Sequence, residues 1–192
     1  MMINNVAEVL MKSLEDACGL TTYKKTLDIE KINLPEYQKN FTFYYKVRRD
    51  KSWLNKFYNY MNEIKNKEDI SFNEILIKLS SWEHKVRKSN NNPKGIGKSI
   101  EVSFASKLLA TLNPNYPIWD SQVISALGIK TENNSVESYI KAYQTLTDKI
   151  TEIINSSDGQ KAIELFDKQF PNYTWVSKHK KIDFYLWNIG KW

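Results

Sequence analysis

Apolar residues recur along this chain at three- and four-residue spacing, and residues that start or stop helices repeatedly break the pattern. This constrains the fold more than any other feature, because a 3.6-residue period lays one face of a helix against a core and does not suit a half-buried strand. Val6, Leu10, Met11, Leu14 and Ala17 mark such a face over residues 4–18, with Gly19 as its stop, and residues 20–33 read as a loop. Pro35 suits the first turn of a helix carrying Phe41, Phe43, Tyr44 and Tyr45. Asp50 is placed to cap a helix with Trp53, Leu54, Phe57, Tyr58 and Met61 on one face. Ser71 and Glu74 have capping-box spacing ahead of Ile75, Leu76, Leu79 and Trp82.

The second half repeats the pattern. Ser99 to Leu112 is amphipathic, with Ile100, Phe104, Leu108, Leu109 and Leu112 inward. Pro114 and Pro117 force an extended connection, Ile118 and Trp119 form an apolar anchor, and Asp120 precedes a short helix. Asn134 to Glu137 signals the start of a long helix through Ile154. A further helix carries Ala162, Ile163, Leu165 and Phe166 and ends by Pro171, and Gly190 is placed to end the last one. Alternating apolar stretches and hairpin dipeptides are missing, so the expectation is an all-α chain. Its 192 residues predict one domain, with two helical lobes around a central cleft as a variant of the same reading.

Composition narrows the function. Cys18 is the only cysteine, which excludes a disulfide framework, a four-cysteine zinc site and a four-cysteine iron–sulfur cluster. His84 and His179, the only histidines, lack ligand spacing, so neither a metal nor another cofactor is expected. No apolar run approaches the ~20 residues a membrane span needs, and the N-terminus lacks the parts of a signal peptide; the expected location is intracellular. The net charge of +6 is compatible with a polyanionic partner. The basic segment containing Lys85, Arg87, Lys88 and Lys94 reads as the clearest exposed loop. It is a candidate phosphate contact, as are Lys178 and Lys180, though such residues are most often a solvated face.

The stretch from Pro93 to Ile129 carries the chemistry. Gly95–Ile96–Gly97 reads as a tight turn feeding a helix that begins near Lys98 or Ser99, so its N–H groups would meet an anion such as a DNA phosphate. A plain structural turn is the other reading. GIGKS is not a nucleotide-binding loop, because Asn92 stands where that pattern needs glycine. Asp120 reads as the N-cap of the helix it opens.

A glycine turn, an apolar helix, then Pro117–Ile118–Trp119–Asp120–Ser121–Gln122–Val123 and a helix ending Leu127–Gly128–Ile129 resembles the helix-hairpin-helix DNA glycosylases. Lys98–Ser99–Ile100, with Asp183 and Trp187 four apart on a late helix, is most similar to the archaeal-type 8-oxoguanine DNA glycosylases. The resemblance implies excision of a damaged or modified base, oxidised guanine or a modified phage base, from double- or single-stranded DNA by a monomer, in repair or phage defence. Asp120 would be the catalytic carboxylate, stabilising the positive charge that develops on the sugar. Lys98 would be the nucleophile that forms a Schiff base and gives lyase activity. Lys98 stands farther from Asp120 than the superfamily's commonest spacing, so it also reads as a phosphate contact, with Lys107 the second candidate nucleophile. If neither acts, water attacks alone. The base pocket falls to Trp119, Asp183 and Trp187, and phosphate binding to Gly95, Gly97, Lys94, Lys88 and Arg87. A non-catalytic DNA-binding module and a purely structural helical protein are the competing classes.

Overall fold

The computed structural model describes residues 17–89 and 92–190, and they are mostly helical. The predicted helix over 4–18 falls almost wholly outside them. The chain divides into two compact units, Thr21–Leu112 and Asn113–Trp192 together with the stretch up to Leu20.

The first unit is organised by aromatic residues. It contains most of α1 (Ala17–Thr26), then α2 (Pro35–Tyr45), α3 (Lys51–Ile64), α4 (Phe72–Ser80) and α5 (Val102–Leu112). Pro35 opens α2 as expected. Asp50 caps α3 by accepting the Trp53 N–H at 3.1 Å, and Ser71 and Glu74 form the reciprocal capping box of α4. The inward faces of α2, α3 and α5 meet in one ring cluster. Phe41 lies 5.7 Å from Phe57, Phe57 stacks on Trp53 at 5.6 Å, and Trp53 meets Phe104 edge-on at 4.5 Å. Buried tyrosines keep their hydroxyls paired: Tyr37 donates to the Thr26 carbonyl and Tyr58 to that of Gln38.

The structure departs from the sequence reading at Gly19 and in the basic segment. Gly19 does not stop a helix but sits inside α1, which continues to Thr26 through part of the expected loop. The basic segment contains β-structure: β1 (His84–Lys85) pairs antiparallel with β2 (Ile96–Gly97), His84 opposite Gly97 and Lys85 opposite Ile96. Two-residue strands are too short to leave an alternating apolar signature.

The second unit contains α6 (Ser121–Ala126), α7 (Val136–Asn155), α8 (Ser157–Gln169) and α9 (Lys178–Ile189), with α9 packed on the other three. The N-cap of α7 is Ser135, one residue after the expected Asn134, because its hydroxyl accepts the Ser138 N–H. Gly159 lies in the first turn of α8, where a Cβ would come 1.8 Å from the Ile153 carbonyl oxygen, so only glycine admits so sharp a corner after α7. The end of α6 is a Schellman turn: Gly128 has φ +61°, its N–H reaches the Ser125 carbonyl, and the Ile129 N–H reaches that of Ile124, each at 3.1 Å.

Candidate functional site

The site in the second unit starts from two prolines. Pro114 and Pro117 prevent α5 from continuing and hold the chain extended. Tyr143 on α7 donates to the Pro117 carbonyl at 2.8 Å, and Ser177, the N-cap of α9, donates to that of Pro114 at 2.6 Å. Ile118 is buried, and Trp119 meets Tyr139 edge-on at 5.6 Å. Asp120 follows in extended conformation (φ −121°, ψ 139°), and its Oδ1 accepts the Gln122 N–H at 2.9 Å. It is therefore the N-cap, with its half-buried side chain anchored through one oxygen at the positive end of a short helix.

α9 lies against that same turn. A Cβ on Gly190 would come 2.0 Å from the Gln122 carbonyl oxygen, so the two backbones are in direct contact two residues after Asp120. Gly190 has φ −69°, an ordinary right-handed value. Gly190 is the C-cap of α9, as its position suggests, in a right-handed conformation, and it is this close approach that requires glycine there.

Trp187 and Asp183 lie on α9 ahead of Gly190. Trp187 is 36% exposed, so it is not a core residue. Asp183 is buried and its Oδ2 accepts from Lys180 at 2.5 Å, an i,i+3 pair that gives this carboxylate a structural partner within its own helix. Lys181 is also buried; it pairs with Asp167 and donates to the Thr174 carbonyl at 3.1 Å. Burial pushes the His179 imidazole, in the first turn of α9, below its ordinary pKa. The structure thus places Asp120, Trp119, Asp183 and Trp187 in one unit.

The remaining candidates belong to the first unit. Lys98 follows β2 directly and is exposed. Lys107 is buried on α5 with its ammonium donating to Ser103 Oγ at 2.8 Å. Gly95 has φ +62°, as a tight turn requires, but Gly97 is paired in β2 without a positive φ. The helix expected from Lys98 or Ser99 starts at Val102. The glycine turn therefore belongs to the ribbon and does not open directly into a helix N-terminus, which removes the dipole argument for an anion there. Lys94, Lys88 and Arg87 are exposed on the same ribbon.

Sequence reasoning missed a polar cluster around Glu101, which is only 3% exposed. Arg49 Nη2 reaches both of its carboxylate oxygens, at 2.7 and 2.9 Å, and the Ser99 hydroxyl donates at 2.6 Å. His84 Nδ1 stands 4.0 Å away, and the Glu101 N–H donates to Ser80 Oγ. The Arg49 guanidinium also lies 5.7 and 5.6 Å from the Trp53 and Phe104 rings. The partners are up to 52 residues apart, so no local spacing announces them. The cluster joins the start of α3, the ribbon and the segment before α5.

Among the described residues no group of three His, Cys, Asp or Glu is placed to hold a metal ion, and no helix is long and apolar enough to cross a membrane. Comparison with protein-family models, curated proteins and solved structures finds no match to this chain.

Proposed function

We propose that this protein is a DNA glycosylase that excises a modified base, oxidised guanine or a modified phage base, with Asp120 as the catalytic carboxylate. The reading starts from the Pro117–Val123 motif. The observation that supports it best is the contact of Gly190 with Gln122, which fixes α9 against the turn that Asp120 caps. A carboxylate held this way needs little reorganisation to stabilise positive charge developing on a deoxyribose. Trp187, exposed one turn before Gly190, has the flat apolar face on which an extruded base would stack, and Trp119 adjoins the carboxylate in sequence. Asp183 contributes through its pair with Lys180.

Lys98 and Lys107 divide the second role. An exposed lysine beside a basic ribbon suits a phosphate contact, whereas an attacking amine must be deprotonated, which burial favours. Borohydride reduction during turnover assigns the role: the residue whose change to alanine abolishes a covalent protein–DNA adduct is the nucleophile. No adduct with the unaltered protein means attack by water.

The test of the function is a panel of single- and double-stranded oligonucleotides, each with one modified base, assayed for free base and strand cleavage. Release from one of them, abolished in Asp120→Asn with DNA affinity retained, is the expected result. Absence of release across the panel, with DNA still bound, leaves the non-catalytic DNA-binding reading, which the exposed cations of the ribbon also support.

A further inference from the structure

We infer that the β1–β2 ribbon is a docking element for duplex DNA, entering a groove with Ile96 against the bases and its cations on the phosphates. The polyanion's identity rests on the DNA reading above; the rest stands on charge and geometry in the first unit, and the variants that test it leave Asp120, Lys98 and Lys107 unaltered.

Charge carries the argument. Between Glu83 and Glu101 the chain has five cations, Lys85, Arg87, Lys88, Lys94 and Lys98, and no carboxylate. The whole chain has 28 basic and 22 acidic residues, so outside this segment 23 face 22. Nearly all of the net +6 is concentrated in one short ribbon. A solvated face mixes the two signs, as the rest of this chain does. Like charges gathered on one hairpin repel each other, and a polyanion relieves the repulsion. All five side chains are exposed, and among the described residues none is in a close ion pair; Lys85 alone has a carboxylate, that of Asp50, near enough to feel its charge.

The ribbon is also held in shape. Asn92 donates its side-chain amide to the Ile96 carbonyl at 2.8 Å and accepts the Gly95 N–H at 3.1 Å. The Val86 N–H bonds the Gly95 carbonyl at 2.8 Å. Gly95 has no room for a Cβ, which would come 2.8 Å from Lys88 Cγ and 2.9 Å from the Val86 carbonyl oxygen. At its base the Lys85 N–H reaches Asp50 Oδ2, and His84 stands beside the Glu101 cluster. Cations on a fixed scaffold lose less entropy on binding than those of a free loop.

Shape selects the partner. A two-stranded antiparallel ribbon fits the major groove of B-form DNA, whereas the major groove of A-form RNA is too narrow to admit it. Lys85 and Ile96 are in register and so share one face, and Ile96 is 44% exposed. That face offers an apolar contact beside the Lys85 charge.

The experiment uses the whole protein and fluorescence anisotropy with a short unmodified DNA duplex, over a salt series. Parallel arms are an RNA duplex, single-stranded DNA and vesicles of equal parts phosphatidylserine and phosphatidylcholine. The triple variant R87Q/K88Q/K94Q should bind duplex DNA on the order of tenfold or more weakly, with its salt slope reduced by about 0.9 for each phosphate no longer neutralised. Ile96→Ser should weaken duplex binding without changing that slope. The control K130Q/K149Q/K161Q, which removes the same charge from exposed positions of the other unit, should leave the slope nearly unchanged. The proposal is overturned if the unaltered protein does not bind duplex DNA, if ribbon and control variants are weakened equally, or if RNA duplex or vesicles bind as tightly. Ribbon-dependent binding without base release from any oligonucleotide would defeat the glycosylase alone. Base release with ribbon variants binding normally would defeat the ribbon alone.

Discussion

Gly190 and Gln122 touch through their backbones. The nearest atom to a Cβ built on Gly190 is the Gln122 carbonyl oxygen, at 2.0 Å, and Gln122 Cα would lie at 2.9 Å. Neither is the end of a flexible side chain that can swing away. Gly190→Ala must therefore separate α9 from α6 or distort both, at a cost of about 1–3 kcal/mol by analogy with overpacked cores. Gly128→Ala is the comparison. Open space surrounds that position and only the φ of +61° opposes a side chain, so the loss is confined to roughly 1–2 kcal/mol of backbone strain. Denaturant unfolding measures both. If the glycosylase reading holds, Gly190→Ala also loses base release through displacement of Asp120, and Gly128→Ala keeps most of it.

The Glu101 cluster predicts an asymmetric outcome. Removing Arg49 leaves a buried carboxylate without its main counter-charge, and such a loss costs about 3–5 kcal/mol. Arg49→Met together with Glu101→Leu removes both charges and should recover much of that loss. A double-mutant cycle from chemical denaturation reads the coupling. Additive losses would show that the pair contributes nothing beyond its separate parts.

Where the sequence was informative, the physics was local. Pro35, Asp50 and Ser71 act within one turn of their own positions, and each stands where its spacing places it. Gly190 shows the limit. A glycine after a helix suggests a stop, yet the reason for it lies in Gln122, 68 positions earlier. The Arg49–Glu101 pair and the His84–Gly97 register are likewise contacts at a distance, invisible to periodicity. The helix start expected at Lys98 or Ser99 fails for the same reason, since pairing with β1 holds Ile96 and Gly97 in a strand and the helix begins only at Val102. Asp120 is legible as a cap because capping is local; the catalytic role proposed for it starts from a motif resemblance, which no local spacing carries.

His179 predicts the acid side of the stability profile. Burial depresses its pKa in the folded state below the ordinary value of 6.5. The unfolded chain therefore binds the proton more readily, and stability falls as pH drops below about 6.5, levelling off beneath the folded pKa. His179→Gln removes this contribution. Thermal unfolding between about pH 5 and pH 7.5 should show a smaller pH dependence in the variant over that window; an unchanged slope would assign the acid loss to carboxylates alone.

On the glycosylase reading two roles meet at Asp120, and two substitutions separate them. Asparagine is as good an N-cap as aspartate, so Asp120→Asn keeps an oxygen for the Gln122 N–H and should change stability by only a few tenths of a kcal/mol. It removes the negative charge, and base release should fall by at least about a hundredfold, the loss expected when one electrostatic stabiliser of a transition state is deleted. Asp120→Ala removes cap and charge together and should cost about 1 kcal/mol of stability in addition. Single-turnover base release measured beside denaturant unfolding on the same three proteins distinguishes the cases. If Asp120→Asn releases base at the unaltered rate, the carboxylate is a cap and nothing more, and catalysis must be sought elsewhere on the chain.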